Sequence, residues 1–160
     1  MDCQCPVFLD ASNQIEEECL FSKVIEEVVE EFVPHGVRIF NLSVANMAMK
    51  WNQHGKRTQP RSSWTARKLD QLSQKHDIIF VVSTGNLHLD QIRDYLQSGA
   101  SYPEYLCDEE SRILDPGQAG LALSVGSIVA GTVVAASADT TIALEYQPSP
   151  FTRSGPGIKK

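Results

Sequence analysis

Asp77-Ile78-Ile79-Phe80-Val81-Val82 runs without interruption into Ser83-Thr84-Gly85-Asn86. A stretch that is apolar at nearly every position is what a strand covered on both faces requires, and the small polar residues that end it are turn formers. The sequence therefore predicts a buried strand whose carboxyl end delivers a glycine and a side-chain amide to the rim of a sheet. Upstream, Val37-Arg38-Ile39-Phe40-Asn41-Leu42 opens in the same manner into Ser43-Val44-Ala45. Two strand ends bearing small and polar residues are thus expected along one edge.

The segments around these strands read as helices. From Ile15 to Val33 the apolar residues recur in one helical stripe, with glutamates on the other face, until Pro34 and Gly36 stop the pattern. Those glutamates are read as a solvated face. Ser62-Ser63 caps a second helix, Trp64 to Lys75, with Trp64, Leu69 and Leu72 expected to face inward and His76 near its carboxyl end. Pro6-Val7-Phe8-Leu9 reads as a short strand, Asp90 to Leu96 as a short helix, and Leu121 to Ile128 as a further buried strand after a turn at Pro116-Gly117. Thr132 to Tyr146 alternates weakly, as a hairpin would, and 148–160 should be a loop or frayed tail. The order β-α-β-α-β-β describes an α/β, three-layer, doubly wound and mostly parallel sheet, because a strand, a helix and a strand in succession make a right-handed parallel crossover. In such sheets ligands bind beyond the carboxyl ends of the strands.

Composition narrows the function. With 160 residues, 42% of them hydrophobic, the chain can hold one packed domain spanning 1–160. A formal charge of −6 and one short basic cluster, Lys56-Arg57 with Arg61 and Arg67-Lys68, argue against a nucleic-acid partner. The longest uncharged stretch, Pro116 to Ala138, is broken by four glycines, unlike a membrane helix. No secretory signal opens the chain at Asp2 and Cys3, which points to the cytoplasm or to a leader outside this sequence. Cys3, Cys5, Cys19 and Cys107 have neither a disulfide pattern nor zinc spacing, so no metal or cofactor is expected. The polar stretch from Met47 to Arg61 reads as a long surface loop, in which Trp51 either walls a subsite or pins the loop down.

Gly85-Asn86 admits two readings. Both residues tolerate positive φ, so the pair suits a plain turn after a strand. A carboxamide fixed at a strand end is also the donor that a negatively charging carbonyl oxygen needs, and a glycine before it lets a bound chain lie close.

Four segments in order resemble the subtilisin-like serine peptidases, or subtilases. These are Val37 to Ser43, Leu69 to His76 leading into Val81 to Asn86, Pro116-Gly117-Gln118-Ala119 before Leu123 to Ser127, and Pro150-Phe151-Thr152-Arg153-Ser154-Gly155-Pro156. The resemblance covers about Val7 to Gly157 and implies a serine-type endopeptidase built on a subtilisin-like sheet. It implies that Asn86 is the oxyanion-hole donor. Ser43, Val44 and Ala45 would form the edge that pairs with a peptide or protein substrate, and Ser83, Thr84 and Gly85 would wall the primary specificity pocket. Ala45 stands where the family usually has glycine, and Ser83-Thr84 where it usually has two alanines.

The resemblance further implies that the segments bearing the catalytic aspartate, histidine and serine are not in this chain. His35, His54, His76 and His88 lack the expected surroundings and are read as surface or capping residues, while Asp10 matches a different strand of the family. The chain is accordingly expected to be the central part of a catalytic domain, inactive alone. The alternative is a pseudo-protease or adaptor that keeps the cleft to bind extended peptides or a partner. Open sheet edges favour self-association.

Overall fold

The structure is a computed structural model that describes residues 21–46, 63–131 and 142–154. The chain divides into two compact units, 1–37 and 38–160. In the first, helix α1 spans Phe21–Phe32 and buries Val24, Ile25 and Val29, while Glu27, Glu30 and Glu31 stay exposed. The stripe is the one read from the sequence, although its expected start at 15–20 lies outside the described residues. A 3-10 turn, Val33–His35, follows because Pro34 has no N–H to continue the helix. Gly36 then closes it at φ 87°, its N–H bonded to the Val33 carbonyl at 3.0 Å.

The second unit is built on a parallel three-stranded sheet in the order β1-β2-β3, formed by Ile39–Leu42, Ile79–Ser83 and Leu123–Val125. Its register pairs Phe40 with Phe80, Asn41 with Val81, Val81 with Leu123, and Ser83 with Val125. The strands are shorter than the apolar runs suggest, and β3 covers three residues of the expected eight. Between β1 and β2 lies helix α2, Trp64–His76, capped by Ser63, whose Oγ accepts the Ala66 N–H at 2.9 Å. Ala66, Leu69 and Leu72 form its buried face, and the helix packs on β2.

Trp64, expected inward, is 71% exposed. At 100° per residue it lies roughly 140° from Leu69 around the helix, off the stripe that Ala66, Leu69 and Leu72 share. Lys75 and His76 occupy the last turn, where a cation suits the helix dipole.

The sheet differs from expectation in its coverage. Phe40, Phe80 and Val82 are buried on one face, but the register places Ile39, Ile79, Leu123 and Val125 on the other, and all four are exposed. Ile39 is 65% and Leu123 59% accessible. The continuous apolar run states what both faces favour, whereas the described residues cover one of them.

Downstream of β2, helix α3 spans Leu89–Gln97, with Gln91 accepting the His88 N–H at 3.0 Å. Leu87, Ile92, Tyr105 and Leu106 make a second core against which Tyr95, Ala100 and Tyr102 pack. The expected hairpin falls mostly at 132–141, outside the described residues; within 142–146 no strand forms, and 127–129 pair instead with 146–149. The chain from Pro148 to Ser154 is loop, tied down by Ser149 to Ser127, Arg153 to Gly85 and Ser154 to Ser111. The strand expected at 6–9, the loop at 47–61 with Trp51, and Cys3, Cys5, Cys19, His54 and Asp10 lie outside the described residues. Among the described residues no helix is long and apolar enough to cross a membrane.

Candidate active site

The three strands end together, and a cavity of about 270 Å³ opens at their carboxyl ends. β1 contributes Asn41 and Ser43, β2 contributes Val81 through Asn86, and β3 contributes Val125, Gly126 and Ser127. Ser83 and Val125 are register partners, so hydroxyl and apolar side chains alternate across the same rim.

The β2 end is fixed by bonds on every side. The Thr84 N–H reaches the Val125 carbonyl at 3.0 Å, while the Thr84 carbonyl accepts the Leu114 N–H at 3.1 Å. Ser83 Oγ accepts the Gly85 N–H at 3.1 Å, which closes a local turn. Gly85 sits at φ 86°, and a Cβ there would lie 2.8 Å from Leu114 Cδ1. Glycine is therefore required twice, by backbone conformation and by space. Asn86 follows with its side chain exposed, and an isolated antiparallel bridge joins it to Thr152. On one side the Leu87 N–H bonds the Phe151 carbonyl at 2.7 Å, and on the other the Arg153 N–H bonds the Gly85 carbonyl at 3.3 Å.

Of the residues singled out from sequence, Ser43, Ser83, Thr84, Gly85 and Asn86 all line this one cavity. Val44 and Ala45 are not among its lining residues; they lead to Asn46, whose N–H bonds the Asp115 carbonyl at 2.8 Å. Sequence reasoning did not single out Asn41, Val81, Val82, Val125, Gly126 or Ser127 as lining residues. The parallel register would have found Val125, since it lies level with Ser83, a residue already expected at the rim.

Among the described residues every side chain lining the cavity is uncharged: amides, hydroxyls, glycines and valines. Such a wall can donate and accept hydrogen bonds to a peptide backbone, and Asn86 can meet a developing negative oxygen. Among the described lining residues the hydroxyls have no histidine or carboxylate beside them of the kind that activates a serine nucleophile. The described histidines lie elsewhere, with His35 in the turn after α1, His76 at the end of α2 and His88 before α3. Asp115 precedes Pro116-Gly117 at a turn. Asp115 is buried, and its carboxylate accepts a hydrogen bond from Ser63 Oγ at the start of α2 rather than from a histidine. Burial pushes its pKa above the ordinary aspartate value, and the Ser63 bond offsets part of that rise. Among the described residues no group of three or more His, Cys, Asp or Glu is placed to hold a metal ion.

A parallel sheet whose strand ends converge on a glycine and an asparagine defines an α/β protein with a cleft at its carboxyl rim. Residues 11–160 match the sequence profile of the Subtilase family, peptidase S8, and the chain belongs to that family. The resemblance carried by the four motifs is thereby established, as is an α/β, subtilisin-like partial domain. The chain is also 30% identical over 141 residues to "Uncharacterized protein y4bN" of Sinorhizobium fredii (strain NBRC 101917 / NGR234), covering 85% of this chain and 31% of that relative. It thus spans about a third of that relative's length. No solved structure matches the chain.

Proposed function

We propose that this chain forms the substrate-binding and oxyanion side of a subtilase peptidase site. In this reading Ser43, Val44 and Ala45 pair with the backbone of an extended peptide, Ser83, Thr84 and Gly85 wall the pocket for one of its side chains, and Asn86 donates to the carbonyl oxygen under attack. The observation that carries it is that Ser43 and Asn86, from two different strands, line a single cavity. Attack on a peptide carbonyl places negative charge on its oxygen, and a donor already in position stabilises that charge without reorganising. The nucleophile and its base come from polypeptide other than this chain, so the chain alone performs no covalent serine chemistry.

Two measurements test this. In the complete polypeptide, Asn86→Ala should lower kcat about 10²–10³-fold, or about 2.7–4 kcal/mol, a magnitude carried over from the oxyanion asparagine of subtilisin, with KM little changed. This chain alone should remain unlabelled by a fluorophosphonate probe; stoichiometric modification would refute the assignment. The second reading, an adaptor that binds extended peptides without cleaving them, is favoured by the uncharged lining. It predicts peptide binding with no hydrolysis by the complete polypeptide.

A further inference from the structure

Arg153 is 2% exposed, although a guanidinium is among the groups costliest to bury. Its head group is spent on main-chain carbonyls. Nε donates to the Asn86 carbonyl at 3.0 Å, and Nη1 donates to the carbonyls of Glu110 at 2.6 Å and Arg112 at 3.2 Å. Nη2 has no hydrogen-bond partner among the described residues. Its stem is used as well, because Cδ lies 3.3 Å from where a Gly85 Cβ would stand, beside Leu114. Desolvation pushes the guanidinium pKa below its ordinary value, and the nearby Glu110 and Tyr95 oppose that shift. The group stays charged, since arginine does not lose its proton in proteins.

We infer that Arg153 is the positioning residue of the Asn86 donor, holding the Gly85-Asn86 main chain by its stem and its Nε–H so that the carboxamide stands over the cavity rim. The inference rests on the oxyanion reading of Asn86. Three features support it over a rivet for the 109–112 turn. Nε is directed at the carbonyl of Asn86, the one residue whose side chain must be held; the Arg153 main-chain N–H binds the Gly85 carbonyl; and the two contacts thus hold the peptide units on both sides of the Asn86 Cα. A charge-assisted bond into that carbonyl is also stronger than a neutral one.

The test has two arms. In the first, backbone ¹⁵N relaxation compares this chain with Arg153→Met and Arg153→Lys. Residues 85–87 should fall from rigid order parameters, near 0.85, to below about 0.6 in Arg153→Met, with partial recovery in Arg153→Lys, while α2 and β2 keep their order. If 85–87 stay rigid and only 109–112 loosen, the inference is overturned; should Arg153→Met fail to fold, Arg153→Lys alone decides on the same residues. In the second arm, steady-state kinetics on the complete polypeptide should show Arg153→Lys lowering kcat with KM unchanged, and no further loss when Asn86→Ala is already present. Additive losses would overturn the link to the donor. A null effect of Asn86→Ala by itself would instead overturn the oxyanion reading, with the relaxation arm still deciding whether Arg153 fixes the main chain.

Discussion

Gly85 and Gly36 make a matched pair for asking what a glycine is for. Both have positive φ, at 86° and 87°, yet a Cβ on Gly36 would meet nothing within 4 Å while one on Gly85 would strike Leu114 at 2.8 Å. Substitution by alanine at Gly36 therefore carries only the left-handed conformational cost, about 1 kcal/mol. At Gly85 overpacking adds about 1–3 kcal/mol, because Leu114 is itself buried and has little room to withdraw. Urea unfolding of Gly36→Ala and Gly85→Ala should separate the two by at least the clash term; equal midpoints would show that Leu114 gives way. At this scale the site was legible to a useful degree. Asn86 stood out not by itself, since Gly-Asn suits a plain turn, but because it ends a segment that resembles subtilases together with three others in order. Arg153 did not, since nothing in a Pro-, Gly- and Ser-rich segment announces that its one arginine turns inward.

Helix α2 begins on a device that couples charge to secondary structure. Ser63 Oγ accepts the Ala66 N–H and donates to the Asp115 carboxylate, so one hydroxyl both caps the helix and satisfies a buried acid. Ser63→Ala removes both bonds, and the expected loss is about 1 kcal/mol for the cap plus about 1–3 kcal/mol for the unsatisfied carboxylate. Burial raises the folded-state pKa of Asp115 above its unfolded value. The folded state then binds the proton more tightly, so this group favours folding most below the ordinary aspartate pKa and progressively less as pH rises through the raised one. Urea titrations of the parent and of Asp115→Asn across that interval should show the parent losing stability relative to the variant as pH rises. A pH-independent difference would mean that Asp115 is not titrating there. At the scale of elements the helices were readable, because caps and apolar stripes are local signals: α2 starts at the serine the sequence marked, and α1 ends at Pro34 and Gly36. Trp64 was expected inward with Leu69 and Leu72, but its angle around the helix puts it off their stripe.

The whole molecule depends on a sheet with three strands, β1 and β3 forming its edges among the described residues. The sequence conveyed the parallel order and the convergence of strand ends, since both follow from the strand-helix-strand succession and from the small polar residues that end the apolar runs. It did not convey that the described residues would cover only one face, because an all-apolar strand reports the environment it prefers and not the layers that surround it. An edge strand presents unpaired N–H and C=O groups along its length, and nothing in Ile39-Phe40-Asn41-Leu42 blocks pairing: no proline, no lysine and no charge. We propose on this ground that two copies add strand to strand at β1, an edge among the described residues, with the exposed Ile39 beside Ile79 adding apolar area to the same contact. The expected outcome is a weight-average mass by sedimentation equilibrium that rises with concentration, with slower hydrogen exchange at residues 39–42 as it does. Ile39→Lys should suppress both, because a charge on the edge must be desolvated for the strands to meet. A single monomeric mass across the accessible range would show that this edge is already protected and that the strand's polar groups are satisfied within one copy.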